Sequence, residues 1–277
     1  MKSQTAKPAA KIAAKRSPLK NFFAGITIVI ILIIAHMIYY FVMGNGANFE
    51  GGDNANHPLP GNYLGIVYKG GPIVPILMSM FLMVIVFSIE RFFTISKATG
   101  SGSVDGFVRK IKTSLANDNV NEALAECDRQ KGSVGNVINS VLHKYKDMAA
   151  EPTMNKDQKV LAIQKELEDS TALELPILEK NLTIIATLAS IATLTGLLGT
   201  VIGMIKAFAA LAQAGAPDAS ALSNGISEAL INTALGIGTS ALAIVAYNYF
   251  TSKIDELTYS IDEAGFSIMQ NFASKHN

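Results

Sequence analysis

The sequence is poor in the residues that build catalytic and metal sites. Its one cysteine, Cys127, excludes an internal disulfide framework and a cysteine-based metal cluster. None of the four histidines has a partner three or four residues away, so no zinc-binding helix motif is present. The motifs GxxxxGK[ST], GxGxxG and GxSxG are absent as well. We therefore expect no enzyme activity, no metal and no organic cofactor.

Charged residues are also scarce, at 16% of the chain, whereas hydrophobic residues make up 49%. The mean hydropathy is +0.31. Each of four apolar runs reaches the ~20 residues that a helix needs to cross a bilayer. These runs are residues 22–43, 72–95, 183–211 and 222–250. We predict an all-α, polytopic membrane protein whose long transmembrane helices extend into a cytoplasmic helical bundle.

The first apolar run follows a basic segment. Residues 1–21 contain six Lys or Arg residues and no acid, which suits either a secretory signal or a retained anchor. The run at 22–43 exceeds the ~15 residues of a signal's hydrophobic core, and no small-residue cleavage site follows Met43. We interpret it as a retained anchor helix whose N-terminus is cytoplasmic.

Basic residues are distributed unevenly between the polar segments. Residues 96–182 carry twelve Lys or Arg residues, and the tail at 251–277 carries Lys253 and Lys275. The loop at 44–71 has only Lys69, and the loop at 212–221 has none. Because basic loops stay in the cytoplasm, the two loops face outward and both termini inward. Arg91, at the inner end of the second run, is expected to extend toward the headgroups, with a specific contact as the alternative.

The segment 96–182 has the spacing of a helical domain. Apolar residues at 104, 107, 108, 111 and 115 share one helical face, and those between 134 and 145 repeat the pattern. Asn119 with Glu122 resembles a capping box that begins a helix between them. We expect one further helix to run from Lys156 into the third span, bent at Pro176. Basic and acidic residues alternate here, so no nucleic-acid partner is predicted.

The third and fourth runs differ from ordinary lipid-facing helices because small and polar residues recur at helical spacing. Counted from the outer ends of the two runs, Thr200 and Thr233 lie at the same depth, ~17–18 Å in. Glu228 lies ~10 Å in and Lys206 ~8 Å in. A buried carboxylate at such a depth is a functional hypothesis by default. The small-residue stripes are Gly196, Thr200, Gly203 and Ala207 in the third run, and Gly225, Ala229, Asn232, Gly236, Ser240 and Ala243 in the fourth.

Each feature also has a simpler explanation. Threonine in a membrane helix commonly bonds the carbonyl four residues before it. The stripes are also typical of tight helix packing. Lys206 is shallow enough to extend outward instead of pairing with Glu228, and Glu228 could be a structural carboxylate. These residues by themselves predict an oligomeric or tightly packed four-span protein with a polar interior.

Two of these segments resemble the ExbB/TolQ/MotA family of proton-driven inner-membrane motors, and its ExbB branch most closely. The phrase that begins at Gly196 is similar to the family's G-L-L-G-T-V helix. The phrase from Glu228 through Thr233 is similar to its E-A-L-x-x-T helix. Glu90-Arg91 and the EAL phrase at Glu122 resemble further family motifs. The resemblance spans about residues 73–250.

The resemblance implies a homo-oligomeric ring, a pentamer in the ExbB branch, around an ExbD-like single-span partner with a membrane Asp. Thr200 and Thr233 would then be pore hydroxyls and Glu228 a ring carboxylate. Protons would be the coupling ion, with no other cofactor, and a TonB-like protein would receive the motion at the bacterial inner membrane. The remaining residues implied for partner-helix or inter-subunit packing are Gly196, Leu197, Gly199, Gly203, Ala207, Asn232, Gly236 and Ser240.

The chain departs from the family pattern in two places. The run at 22–43 is additional to the three spans usual in the ExbB branch, and Lys206 stands where an uncharged polar residue is expected. We expect Lys206 on the lumen or inter-subunit side, where it could form an ion pair with Glu228. Alternative functions are a TolQ-like envelope motor, a gliding or flagellar-type stator, and, from another class, a structural membrane oligomer or channel. An intramembrane hydrolase is disfavoured because His36 stands alone.

Overall fold

The computed structural model describes residues 18–212 and 218–275. Most of the predicted basic N-terminus and the centre of the second outer loop therefore lie outside the described residues. In chain order the helices are α1 (Pro18–Met37), α2 (Tyr63–Tyr68), α3 (Val74–Thr99), α4 (Val104–Ala116), α5 (Val120–Gln130), α6 (Gly132–Ala150), α7 (Lys156–Glu179), α8 (Leu182–Leu211) and α9 (Ala219–Lys275). The described residues contain no β-strand, only an isolated bridge between Phe49 and Pro58.

Among the described residues, four helices are long and apolar enough to cross a membrane. They are α1 with its continuation to Met43, α3, α8 and α9. This confirms the predicted all-α membrane architecture. The fourth apolar run and the tail form one continuous helix, because α9 has 57 residues and is therefore about 85 Å long.

The predicted continuous helix from Lys156 into the third span is wrong. The helix ends at Glu179, and a new one begins at Leu182. Asn181 between them has a positive φ of 66°, a left-handed conformation that asparagine tolerates better than most residues. Pro176 lies inside α7 and does not end it. The break therefore lies at Asn181, where the helical bundle meets the candidate spans.

Arg91 does not extend to the membrane surface, so that prediction is wrong as well. Arg91 is buried, with only 1% of its surface exposed to solvent. Its guanidinium donates to the carbonyls of Ile177 and Leu178, at 3.2 and 3.0 Å, and to the carboxylate of Glu90. Glu90 also accepts a hydrogen bond from the side chain of Asn181. Arg91 thus satisfies the last carbonyls of α7 and fixes the α7–α8 break against α3.

The helices between the second and third candidate spans follow the predicted apolar spacing. The buried face of α4 includes Phe107, Val108, Ile111 and Leu115. The predicted face of α6 is buried as well. Asn119 accepts a hydrogen bond from the backbone N–H of Glu122 and caps α5. Helices α4, α6 and α7 pack against the inner part of α9, and α5 packs on α4 and α6, so one apolar core joins the bundle to the spans.

The additional first span and the first outer loop form one unit. Helix α1 packs on α3 and continues as a π-helical turn at Ile38–Met43. The side-chain amide of Asn48 donates to the carbonyls of Val42 and Met43 at 2.8 and 2.9 Å. Near the end of the loop, the rings of Tyr39 and Tyr68 stack with centroids 4.7 Å apart. The loop then returns through Gly70 and Gly71 to the start of α3.

Candidate functional site

Helices α8 and α9 pack closely along the two small-residue stripes. A methyl group added at Gly196 would lie 2.9 Å from the carbonyl oxygen of Asn232, and one at Gly203 would lie 2.7 Å from the amide nitrogen of Ala229. A methyl group at Gly236 would meet the carbonyl oxygen of Ala192 at 2.7 Å. These neighbours are backbone atoms, which cannot rotate away. The glycines therefore set the distance between the two helices.

The sequence analysis assigned eight residues to contacts with a partner helix or a neighbouring subunit, and the structure shows where they lie. Most of them are buried between two helices of the same chain, which is the packing that small residues permit. Leu197 differs, since it is 57% exposed and faces away from α9's stripe. The buried members are Gly196, Gly199, Gly203, Ala207, Asn232, Gly236 and Ser240.

Thr200 and Thr233 meet across this seam, and their hydroxyl groups are hydrogen-bonded to each other. Each hydroxyl oxygen also lies near the carbonyl four residues before it, 3.2 Å from that of Gly196 and 3.1 Å from that of Ala229. A hydroxyl carries one proton, so only one of the pair can donate to the other. The pair therefore has two alternative hydrogen-bond directions.

A charged pair lies further out on the same two helices. The ammonium of Lys206 is 2.6 Å from Oε1 and 2.9 Å from Oε2 of Glu228. Glu228 is 7% exposed, whereas half of the Lys206 side chain is exposed. The structure thus brings together the two residues that sequence analysis suggested as an ion pair, with the carboxylate inside and the ammonium at the edge.

The turn at Gly70 and Gly71 completes the site, and sequence analysis missed it. A methyl group at Gly71 would lie 2.3 Å from Oε1 of Glu228, and Gly71 also has a positive φ of 80°. The side-chain amide of Asn232 donates to the carbonyl of Gly70 at 2.8 Å. The signal for this turn was the Gly-Gly-Pro directly before the second apolar run.

The seam brings together groups that can donate and accept protons. Hydroxyl and carboxylate groups lie at successive levels of two adjoining membrane helices. Within residues 18–212 and 218–275, no group of three or more His, Cys, Asp or Glu side chains could hold a metal ion.

Comparison with known proteins places the same region in a family. Residues 134–263 match the MotA/TolQ/ExbB proton channel family. The match covers just under half of the chain. The matched residues run from α6 into the inner part of α9, so they contain both threonines and the charged pair. The family consists of membrane proton channels and not of enzymes, which agrees with the absence of catalytic motifs from the sequence.

Individual relatives carry ExbB and TolQ names. The chain is 40% identical over 94 residues to the biopolymer transport protein ExbB of Helicobacter pylori, covering 34% of this chain and 64% of that protein. It is 28% identical over 141 residues to the Tol-Pal system protein TolQ of Pseudomonas aeruginosa, covering 48% and 61%. An ExbB-like biopolymer transport protein of Synechocystis is 36% identical over 88 residues, covering 31% and 42%. The matches thus span less than two thirds of each of these relatives.

Proposed function

We propose that this protein is the ring-forming subunit of a proton-driven motor in a bacterial inner membrane. It conducts protons together with an ExbD-like single-span partner and energises TonB-dependent transport across the outer membrane. All four spans are transmembrane, and both termini are cytoplasmic. The observation that carries the proposal is the hydrogen-bonded pair of Thr200 and Thr233 between two tightly packed apolar helices of a proton channel domain.

Energetics support a motor of this kind. Each proton that crosses a potential of 100 mV releases about 2.3 kcal/mol. A membrane Asp on the partner would be neutralised in a poorly solvated lumen, since desolvation favours the uncharged carboxyl group. Its repeated protonation and release would move the partner relative to the ring.

The ring and its lumen follow from the same proposal. One chain presents broad apolar surfaces on α8 and α9 that include Leu194, Leu230 and Ile237. Further copies and lipid would cover these surfaces, and a pentamer is the assembly that the ExbB resemblance implies. The half-exposed ammonium of Lys206 then lies on the lumen or inter-subunit side.

A TolQ-like role in envelope integrity is the second candidate, because a TolQ protein is among the relatives that this chain resembles. The two roles differ in the phenotype of a strain that lacks the protein. Loss of energised iron–siderophore uptake supports the ExbB-like role. Normal uptake with detergent sensitivity and chained cells supports the TolQ-like role.

The test of a motor against a structural oligomer uses Glu228→Ala and Thr233→Ala in cells. We expect both variants to assemble with the partner and to lose energised transport. Native mass of the detergent-purified complex measures assembly, and uptake of a labelled siderophore measures function. Assembled variants that transport normally would assign the protein to the structural class.

A further inference from the structure

Asn232 has a polar atom that the packing of the chain does not explain. The side chain is fully buried, with 0% exposed surface. Its Nδ2 donates to the carbonyl of Gly70, and this fixes the orientation of the amide because only the nitrogen can donate. Its Oδ1 has no hydrogen-bond donor among the described residues. A buried acceptor without a donor is unfavourable, so a donor is expected at this oxygen.

Asn232 lies near both parts of the site, the Glu228 carboxylate and the threonine pair. Asn232 follows Glu228 by four residues, so the two side chains share one face of α9 about 6 Å apart along the axis. The turn confirms this, because Gly70 contacts Asn232 and Gly71 contacts Glu228. Asn232 also directly precedes Thr233 in the chain. Along the helix axis, Asn232 therefore lies between the levels of Glu228 and Thr233.

A bound water molecule would supply this donor. No other side chain of the described chain donates to this oxygen, and internal waters typically satisfy buried polar atoms. A proton crossing from Glu228 to the threonine pair must bridge one helical turn, which is longer than a direct hydrogen bond. One bound water would shorten both steps.

We propose that Asn232 is a further residue of the proton path, and that its Oδ1 holds the water joining Glu228 to Thr200 and Thr233. The inference rests on the proposed function, since it concerns the same path. It assigns Asn232 a role beyond helix packing.

The experiment measures proton flux into liposomes that contain the full-length chain with its single-span partner, using an internal pH-sensitive dye. Asn232→Leu keeps the approximate volume and removes the acceptor, and we expect at least a tenfold lower flux. Asn232→Asp keeps an acceptor oxygen, and we expect flux within about threefold of the unmodified complex. The matched control is Asn271→Leu, because Asn271 is also an α9 amide that donates to a backbone carbonyl, in the cytoplasmic bundle. It should conduct normally.

Three outcomes would overturn the inference. If Asn232→Leu conducts within twofold of the unmodified complex, no water at this oxygen is needed. If Asn232→Asp falls as far as Asn232→Leu, the bond to Gly70 is what matters. If the unmodified complex itself conducts no protons, the proposed function fails together with the inference.

A second pair of variants covers the case in which Asn232→Leu does not assemble. Asn232→Ala and Asn232→Ser leave similar space, but only serine keeps an acceptor. We expect at least fivefold higher flux with serine than with alanine. Equal flux in the two assembled variants would overturn the inference.

Discussion

The close packing of α8 on α9 predicts a large effect from one added methyl group. In Gly203→Ala the new carbon would lie 2.7 Å from both the amide nitrogen of Ala229 and the carbonyl oxygen of Gly225. Ordinary contacts of this kind begin near ~3.4 Å, so the helices must separate locally by roughly 0.7 Å. Such overpacking costs ~1–3 kcal/mol, offset by ~1 kcal/mol from the better helix propensity of alanine. We expect a net loss of up to about 2 kcal/mol.

The same substitution at Gly238 is the matched control. It lies on α9, and a methyl group there has no atom within 4 Å in the chain. We expect Gly238→Ala to be neutral or slightly stabilising. Thermal unfolding in one detergent, followed by circular dichroism because the chain has no tryptophan, compares the two. Since 1 kcal/mol corresponds to roughly 2–4 °C in a chain of this size, Gly203→Ala should melt several degrees lower. Equal melting temperatures would refute the packing argument.

Further predictions concern the helical bundle and its junction with the candidate spans. Arg91→Leu leaves two buried carbonyls without a donor and should destabilise the protein by ~3–5 kcal/mol, measured by the same thermal unfolding. Arg109 is exposed, so Arg109→Leu should leave the melting temperature nearly unchanged. Burial raises the pKa of the Cys127 thiol to about 12, so maleimide should label it at pH 7 only after denaturation; rapid labelling of the folded protein would contradict this. A hydrogen bond from the ammonium of Lys110 lowers the pKa of the Glu126 carboxyl group. The ionised Glu126 carboxylate therefore stabilises the folded protein at neutral pH, and this stabilisation is lost as the pH falls through the lowered pKa. Glu126→Gln should have a lower melting temperature than the unmodified protein at pH 7, and the two temperatures should converge in acid. A difference in melting temperature that does not change with pH would contradict this.

The spans and helical faces could be predicted because they depend on local periodicity. Apolar length identified all four candidate spans, and counting residues along two helices placed Thr200 and Thr233 at one level. Their contact in the structure follows from the antiparallel pairing of α8 and α9. Counting residues also placed Lys206 and Glu228 at similar depth. It did not decide whether the Lys206 side chain extends toward the membrane surface or pairs with Glu228. That choice depends on side-chain rotamers, which spacing does not determine.

The features that sequence analysis missed depend on contacts between distant segments. The break at Asn181 has no Gly or Pro to mark it, and it is stabilised by Glu90 and Arg91 from α3. Pro176 was the more obvious signal, yet α7 continues through it. Likewise, the Gly70–Gly71 turn reaches the site only because α3 packs beside α9. Long-range packing of this kind leaves little local trace in the sequence.

The most direct test of the central claim is the proton flux of Thr200→Val and Thr233→Val complexes in liposomes. Valine keeps the shape of threonine and removes the hydroxyl group. The control is Thr187→Val, because Thr187 is an exposed threonine of α8 that bonds its own helix at Thr183. If the paired hydroxyls carry the proton, each of the first two variants should assemble normally and conduct at least tenfold less than the control. Flux equal to that of the control, from intact complexes, would contradict the account.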